Sequence, residues 1–206
     1  MNVLPFGDAA LLVELDGLDE VLGFAGALGA SDLDGVIDVV PAAETVLVVT
    51  EPGTPLEPLV RRLTSLSFTA LTRPEGEPVE IAVVYDGPDL ADVARLTGMS
   101  EDEVIEAHTG TPWRVAFGGF APGFAYLTGG DPRLVVGRRD EPRTTVPAGA
   151  VGLAGEYSGV YPRSSPGGWQ LIARTETTLW DLDQDPPALL APGTRERFTE
   201  GEAGDG

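Results

Sequence analysis

The 206-residue sequence predicts an α+β fold: a ferredoxin-like βαββαβ domain over residues 1–86, then a small β-barrel domain over residues 87–200. Three observations carry this prediction. Apolar residues repeat with strand and helix periods as far as Tyr85. Beyond Trp113 helical periodicity is gone, and short apolar runs alternate with Gly/Pro turns. The chain holds 27 Gly and 18 Pro, a turn-rich composition that favours β-structure over a helical bundle.

In chain order, Ala10–Leu15 reads as a strand after a Gly7-Asp8 turn, and Asp19–Leu28 as a helix with Val21, Leu22, Ala25 and Leu28 on one face. Val36–Val40 and Thr45–Thr50 read as strands across a short link. Leu56–Leu66 reads as a helix, with Glu57 four residues before Arg61, a favourable pair. Val79–Tyr85 completes the split βαβ pattern. Asp89–Thr97 predicts a short helix. Ser100-Glu-Asp-Glu103 is a capping box opening another, which ends near His108 with Gly110 as its C-cap. The pair has helix-turn-helix spacing around Gly98. Glu101, Asp102, Glu103 and Glu106 would repel phosphates, so a structural hairpin is expected, not a DNA reader. Barrel strands are expected at Trp113–Phe117, Val146, Val151–Ala154, Trp169–Ala173 and Arg195–Phe198. The acidic, Gly-rich tail, residues 201–206, predicts disorder.

Composition removes whole classes of chemistry. There is no Cys, hence no disulfide, thiolate metal site or Cys nucleophile. All 13 basic residues are Arg, so Schiff-base lysine, biotinyl-lysine and a Walker A lysine are excluded on this chain. One His rules out a multi-histidine metal site, and no metal site is expected. A net charge of −20 argues against nucleic acid and anionic membranes as partners. No apolar run spans a bilayer and Met1–Ala10 lacks a basic n-region, so a cytoplasmic location is expected.

The charge is uneven. Residues 1–60 hold 11 acids and no base, whereas residues 111–174 hold seven Arg and four acids. A positive island in an acidic chain suggests an anionic ligand or an acidic partner surface. Three Gly-rich loops lie in the same segment. Gly118–Leu127 mixes glycines with Phe120, Pro122, Gly123, Phe124 and Tyr126, which could wall a pocket. Arg143–Gly155 contains Pro147 and Gly149. Gly159–Trp169 contains Tyr161 and a Ser164–Gly168 stretch of hydroxyls and consecutive amides, an anion nest. Tyr157 stands between the last two. His108 is the one side chain suited to general-base work at neutral pH; its alternative is a cap that compensates the helix dipole.

These loops carry a resemblance. Leu4–Ala10, Gly119–Leu127, Arg143–Gly155, Gly159–Pro162 and Ser165-Pro-Gly-Gly-Trp-Gln-Leu171 resemble the family of the B-type 5-oxoprolinase subunit, also called allophanate hydrolase subunit 1. The same family includes a sporulation-kinase inhibitor and half of a carboxyltransferase domain. The sequence departs from the family pattern at Tyr157, commonly Gln, and at Ala121 and Ala125, commonly Thr and Pro. The resemblance implies a cyclophilin-like β-barrel after the N-terminal domain. It implies a hydrolase subunit that works with a larger companion of related fold, the C-type 5-oxoprolinase subunit (allophanate hydrolase subunit 2), and a third component, the A-type one. Together they convert 5-oxo-L-proline to L-glutamate with ATP, bound with the companions and with Mg possible. A regulatory inhibitor of a sensor histidine kinase and half of a biotin-dependent carboxyltransferase are the alternatives. Within that frame Arg143 is expected to clamp a carboxylate and His108 to relay a proton. Ser165, with the Gly167 and Gly168 amides, is expected to bind an oxyanion.

Overall fold

The structure is a computed structural model that describes residues 1–31, 33–69 and 77–201. Apart from Gly201, the predicted disordered tail lies outside the described residues. The chain divides into two units, Met1–Pro74 and Glu75–Gly206.

The first unit is a four-stranded antiparallel sheet of β1 (Asn2–Pro5), β2 (Ala10–Glu14), β3 (Val36–Pro41) and β4 (Thr45–Thr50), in the order β1-β2-β4-β3. Helices α1 (Leu18–Gly29) and α2 (Leu56–Thr64) complete it. Alternation along β2 and β4 points Leu11, Val13, Val46 and Val48 inward, where they meet Val21, Phe24, Leu28, Leu59 and Leu63 from the helices. Of the face that helical spacing marks in α1, Val21 and Leu28 lie in this core and Ala25 packs against it partly buried; Phe24 is an addition.

The expected ferredoxin-like domain over residues 1–86 needs correction. Its sixth element leaves: the segment from Val79 belongs to the second unit. The edge place beside β2 is taken by β1, a strand with no expectation from the sequence, paired antiparallel from Asn2↔Glu14 to Pro5↔Leu11. A hairpin across the Gly7-Asp8 turn closes a loop of a few residues, which costs far less chain entropy than a strand returning from far along the sequence.

The second unit holds β5 (Val79–Val83), α3 (Leu90–Thr97), α4 (Glu101–Gly110), β6 (Trp113–Gly118), β7 (Ala125–Thr128), β8 (Arg143–Val146), β9 (Ala150–Ala154), β10 (Tyr157–Val160), β11 (Ser165–Gly167), β12 (Gln170–Arg174) and β13 (Arg195–Glu200). Seven strands form one sheet in the order β12-β9-β10-β7-β6-β13-β5, antiparallel except for the parallel β13–β5 pair. The sheet nearly closes on itself. Just past β5, Val84 and Arg174 exchange both backbone bonds, Val84 N–H to Arg174 O at 2.8 Å and Arg174 N–H to Val84 O at 2.9 Å. The sequence predicts this β-barrel through β6, β9, β12 and β13; β5, β7 and β10 are additions, and the strand expected at Val146, β8, pairs with β11 in a separate two-stranded ribbon. Ile81 and Val83 are inward residues of the barrel core, alongside Val115, Leu127, Leu153, Ile172 and Phe198.

The helical hairpin behaves as its sequence dictates. Gly98 ends α3 in the left-handed region (φ 73°), and Ser100 caps α4 with both halves of the capping box formed. Val104, Ala107 and His108 are buried, while Glu101, Asp102, Glu103 and Glu106 are exposed. Gly110 lies within the last turn of α4 rather than capping it. Among the described residues no helix is long and apolar enough to cross a membrane.

Candidate functional site

A short ribbon of β8 and β11, paired at Ser165↔Val146 and Gly167↔Arg143, carries much of the predicted site. Beside it, Gly87–Asp89 leads into α3 and lies against β12. Gly87 N–H donates to Ile172 O (3.1 Å), and Asp89 N–H to Leu171 O (2.9 Å). Only glycine fits at 87, because a Cβ there would collide with the backbone of Leu171 and Ile172. This close approach fixes Asp89, which is 1% exposed.

Asp89 is the hub. Its Oδ1 accepts from Arg139 Nη1 at 2.6 Å and from Arg143 Nη2 at 2.7 Å, and its Oδ2 accepts from Leu171 N–H at 2.7 Å. Burial pushes the carboxyl up. The hydrogen bond from Arg143, that from Leu171 and the charges of both arginines outweigh burial and hold it below the ordinary carboxylate value. Two half-buried guanidiniums thus share one buried carboxylate, a local excess of positive charge. Arg139 Nε and Arg143 Nη1 are buried with no hydrogen-bond partner among the described residues. Such orphan donors are costly unless an acceptor arrives.

The segment from Gly137 to Arg143 is strapped down by two more bonds, Arg139 N–H to Gly168 O (2.8 Å) and Gln170 Nε2 to Gly137 O (3.2 Å). Beside it opens a cleft of about 460 Å³, within the range of small-molecule sites, lined by Arg95, Arg138, Arg139, Asp140, Glu141 and Gln170 among others. Asp92, also in the lining, pairs with Arg95 at 3.0 Å.

The aromatic residues of the predicted pocket gather into one cluster. Phe124 meets Phe120, Tyr126, Tyr161 and Trp169 edge-on at centroid distances of 5.1–5.4 Å, and Tyr126 reaches Tyr157 at 5.7 Å. Phe124, Tyr161 and Trp169 are buried, whereas Phe120 is 57% exposed on a backbone with φ 65°, and Pro122 is exposed beside it. Burial raises the Tyr161 phenol; Arg138 and Arg143 are near enough to pull it back. The cluster and the arginines are therefore neighbours.

Several predicted glycines turn out to serve the fold. Gly149 (φ 80°) trades backbone bonds with Tyr161 and Thr175, and a Cβ would strike the Thr175 carbonyl. Gly123 (φ 82°) packs on Trp180, and Gly167 packs under the Tyr161 ring. The Gly168 carbonyl accepts from Arg139 N–H. Pro147 is exposed next to Val146. Ser165 is buried, its Oγ without a partner among the described residues.

His108 needs correction. It neither caps its helix as a cation nor faces the loops. It is 0% exposed in the barrel core, stacked on Phe198 at 4.2 Å, with Nδ1 2.7 Å from Tyr85 Oη and Nε2 2.9 Å from Ser158 Oγ. Burial pushes its pKa down to about 3, so the ring is neutral and in this conformation has no path to a substrate. Sequence reasoning missed Asp89, Arg139 and Gln170. The first had a signal in its place at the mouth of a helix after Gly87-Pro88, the second in the Arg138-Arg139 tandem, and Gln170 in its place within the Ser165–Leu171 motif.

Residues 1–190 match the family described as carboxyltransferase domain, subdomain C and D. The chain is 40% identical over 188 residues to the B-type 5-oxoprolinase subunit of Escherichia coli O157:H7, covering 84% of this chain and 82% of that protein. It is 36% identical over 208 residues to the B-type 5-oxoprolinase subunit of Haemophilus influenzae, covering 96% and 97%. The crystal structure of TTHA0988 superposes with a TM-score of 0.81 at 35% identity over 94% of this chain, which spans only 40% of that longer protein. By sequence and fold alike, the chain belongs to the carboxyltransferase subdomain C and D family, which includes these 5-oxoprolinase subunits.

Proposed function

We propose that this chain is one subunit of a heteromeric, ATP-dependent 5-oxoprolinase that opens the ring of 5-oxo-L-proline to L-glutamate. Its partners in this reading are a larger companion of related fold and a third component, in the cytoplasm. The names of its relatives support the reading. The observation that carries it is the pair of guanidiniums on Asp89 with orphaned N–H groups on Arg139 and Arg143. A carboxylate presents two acceptor oxygens to such donors and neutralises the excess charge. Arg143 and Arg139 hold the substrate carboxylate in this scheme: Arg139 lines the cleft, and the aromatic cluster of Phe120, Phe124, Tyr126 and Tyr161 stands on the Arg143 side, outside the cleft lining. In this scheme Ser165 Oγ, buried at the ribbon without a partner among the described residues, makes a polar contact with the substrate.

Nothing among the described residues marks a magnesium-nucleotide site. The sequence has no Lys, and among the described residues no group of three or more His, Cys, Asp or Glu could hold a metal ion. We therefore assign the nucleotide to a companion chain.

The test is co-expression with the companion chains and an assay of glutamate release from 5-oxo-L-proline with and without ATP. ATP-dependent glutamate formation, lost on omitting this chain, is the expected result. Inhibition of a histidine kinase by the isolated chain, with no turnover by the complex, would replace this reading with the regulatory one.

A further inference from the structure

The geometry points to Gln170 as the residue that reads the amide N–H of a small cyclic amide carrying a carboxylate on the adjacent carbon, in the cleft beside Arg139. This inference rests on the reading above and deepens it.

Gln170 is 6% exposed, yet it lines the 460 Å³ cleft together with Arg138 and Arg139. Its amide has one orientation. The carbonyl of Gly137 can only accept, so the Nε2 side must face it, at 3.2 Å. Oε1 is left buried without a partner among the described residues. An acceptor in that position recognises a donor, an N–H or O–H. The arginines on the same cleft are donors alone and recognise an anion.

A ligand that satisfies both must therefore carry an anionic group and an N–H close together. The strap holds them close: the Gly137 carbonyl that orients Gln170 is two residues from Arg139, and Arg139 N–H is tied to Gly168, two residues before Gln170. In 5-oxo-L-proline the lactam nitrogen is bonded to the carbon that bears the carboxylate, so the two groups are as close as a small molecule allows. Asp140 and Glu141 stand on the rim, toward water that screens them; Asp92 is taken up by Arg95. They leave the half-buried Arg139 guanidinium in control of the interior.

The test compares 5-oxo-L-proline with its lactone analogue, 5-oxotetrahydrofuran-2-carboxylate, in which oxygen replaces N–H. Binding of each is measured by titration calorimetry on the full chain and on the co-expressed complex. The wild type is expected to prefer the lactam about tenfold, as one N–H bond to a buried acceptor warrants. Gln170→Met should erase the preference, because it neither accepts from the lactam N–H nor opposes the lactone oxygen; Gln170→Asn, which withdraws the amide by one methylene, is the second variant in case Met disturbs folding. Arg139→Gln should weaken both compounds alike. Equal wild-type affinities, no binding of either compound, or a preference that survives in both Gln170 variants overturns the proposal. Glutamate formation with wild-type KM by a Gln170→Met complex overturns the subsite and leaves the proposed function standing. Lactam-selective binding without any turnover does the reverse.

Discussion

The phenolic oxygen of Tyr85 lies 2.7 Å from Nδ1 of His108, and across the ring Nε2 lies 2.9 Å from Ser158 Oγ, so both nitrogens of the single histidine are used inside the barrel. An imidazole held in this way works as a neutral cross-brace between a strand end, a helix and a barrel strand. Desolvation explains both its low pKa and the raised Tyr85 phenol, which the negative potential of Glu196 and Glu200 lifts further.

His108→Phe should therefore cost stability, about 1–3 kcal/mol, because it strands the Tyr85 and Ser158 hydroxyls in the core. The pH dependence has a definite sign. The folded pKa, about 3, lies below the ordinary value of 6.5. The contribution of a neutral His108 is fully present above 6.5 and is lost as pH falls toward 3. Thermal melts of wild type and variant should converge as pH drops from about 7 to about 4. The neutral limb of any pH–rate profile of the complex should be the same in both.

Glu196 lies on β13, 0% exposed, with both carboxyl oxygens unpartnered among the described residues. Burial pushes its pKa up to about 9 from 4.5. The folded protein must hold it protonated at neutral pH, whereas the unfolded chain ionises it. That penalty is absent below 4.5 and grows as pH rises to about 9. Glu196→Gln should raise the melting temperature by several degrees at about pH 7, roughly 3 kcal/mol, with the gain vanishing near about pH 4.5. A variant equal to wild type across this range would mean that Glu196 has a partner in solution.

Asp89 and Arg143 should separate structure from turnover. Asp89→Ala leaves two half-buried guanidiniums without their carboxylate and should destabilise by about 3–5 kcal/mol. Arg143→Ala leaves Arg139 on Asp89 and should cost only about 1–2 kcal/mol, while kcat/KM of the complex falls about tenfold to a hundredfold. Urea titrations alongside steady-state kinetics check both. Arg143→Ala with full activity and a large stability loss would remove Arg143 from the substrate.

Phe120 keeps an aromatic side chain at φ 65°, where glycine is at ease and other residues are strained. Phe120→Gly removes that strain, about 1 kcal/mol, against the loss of its edge contacts with Phe124 and Tyr161. Stability should change by less than about 1 kcal/mol in either direction, whereas activity of the assembled complex should drop at least about tenfold. Unchanged turnover would show that the strained aromatic has no part in the reaction.

Local chemistry was legible in the chain itself. The capping box at Ser100, the turn at Gly98, the helices α1 and α2 and the strands β2 and β4 all depend on neighbours within a few residues, and period and propensity report those. The aromatic cluster was also foreseeable, because Phe120, Phe124 and Tyr126 lie on one short loop that must place them together. The tertiary structure decided what pairs at a distance. Val79–Val83 has the alternation of a strand in either unit. It joins β13, far along the chain, because Ile81 and Val83 complete the barrel core there. A hydrophobic pattern states that a face must be buried but not against what. In the same way the sequence shows that Arg143, Arg139 and Asp89 carry charge. Only the fold brings both guanidiniums within 2.7 Å of the Asp89 carboxylate, since a Coulomb contact across 50 or 54 residues leaves no period to read.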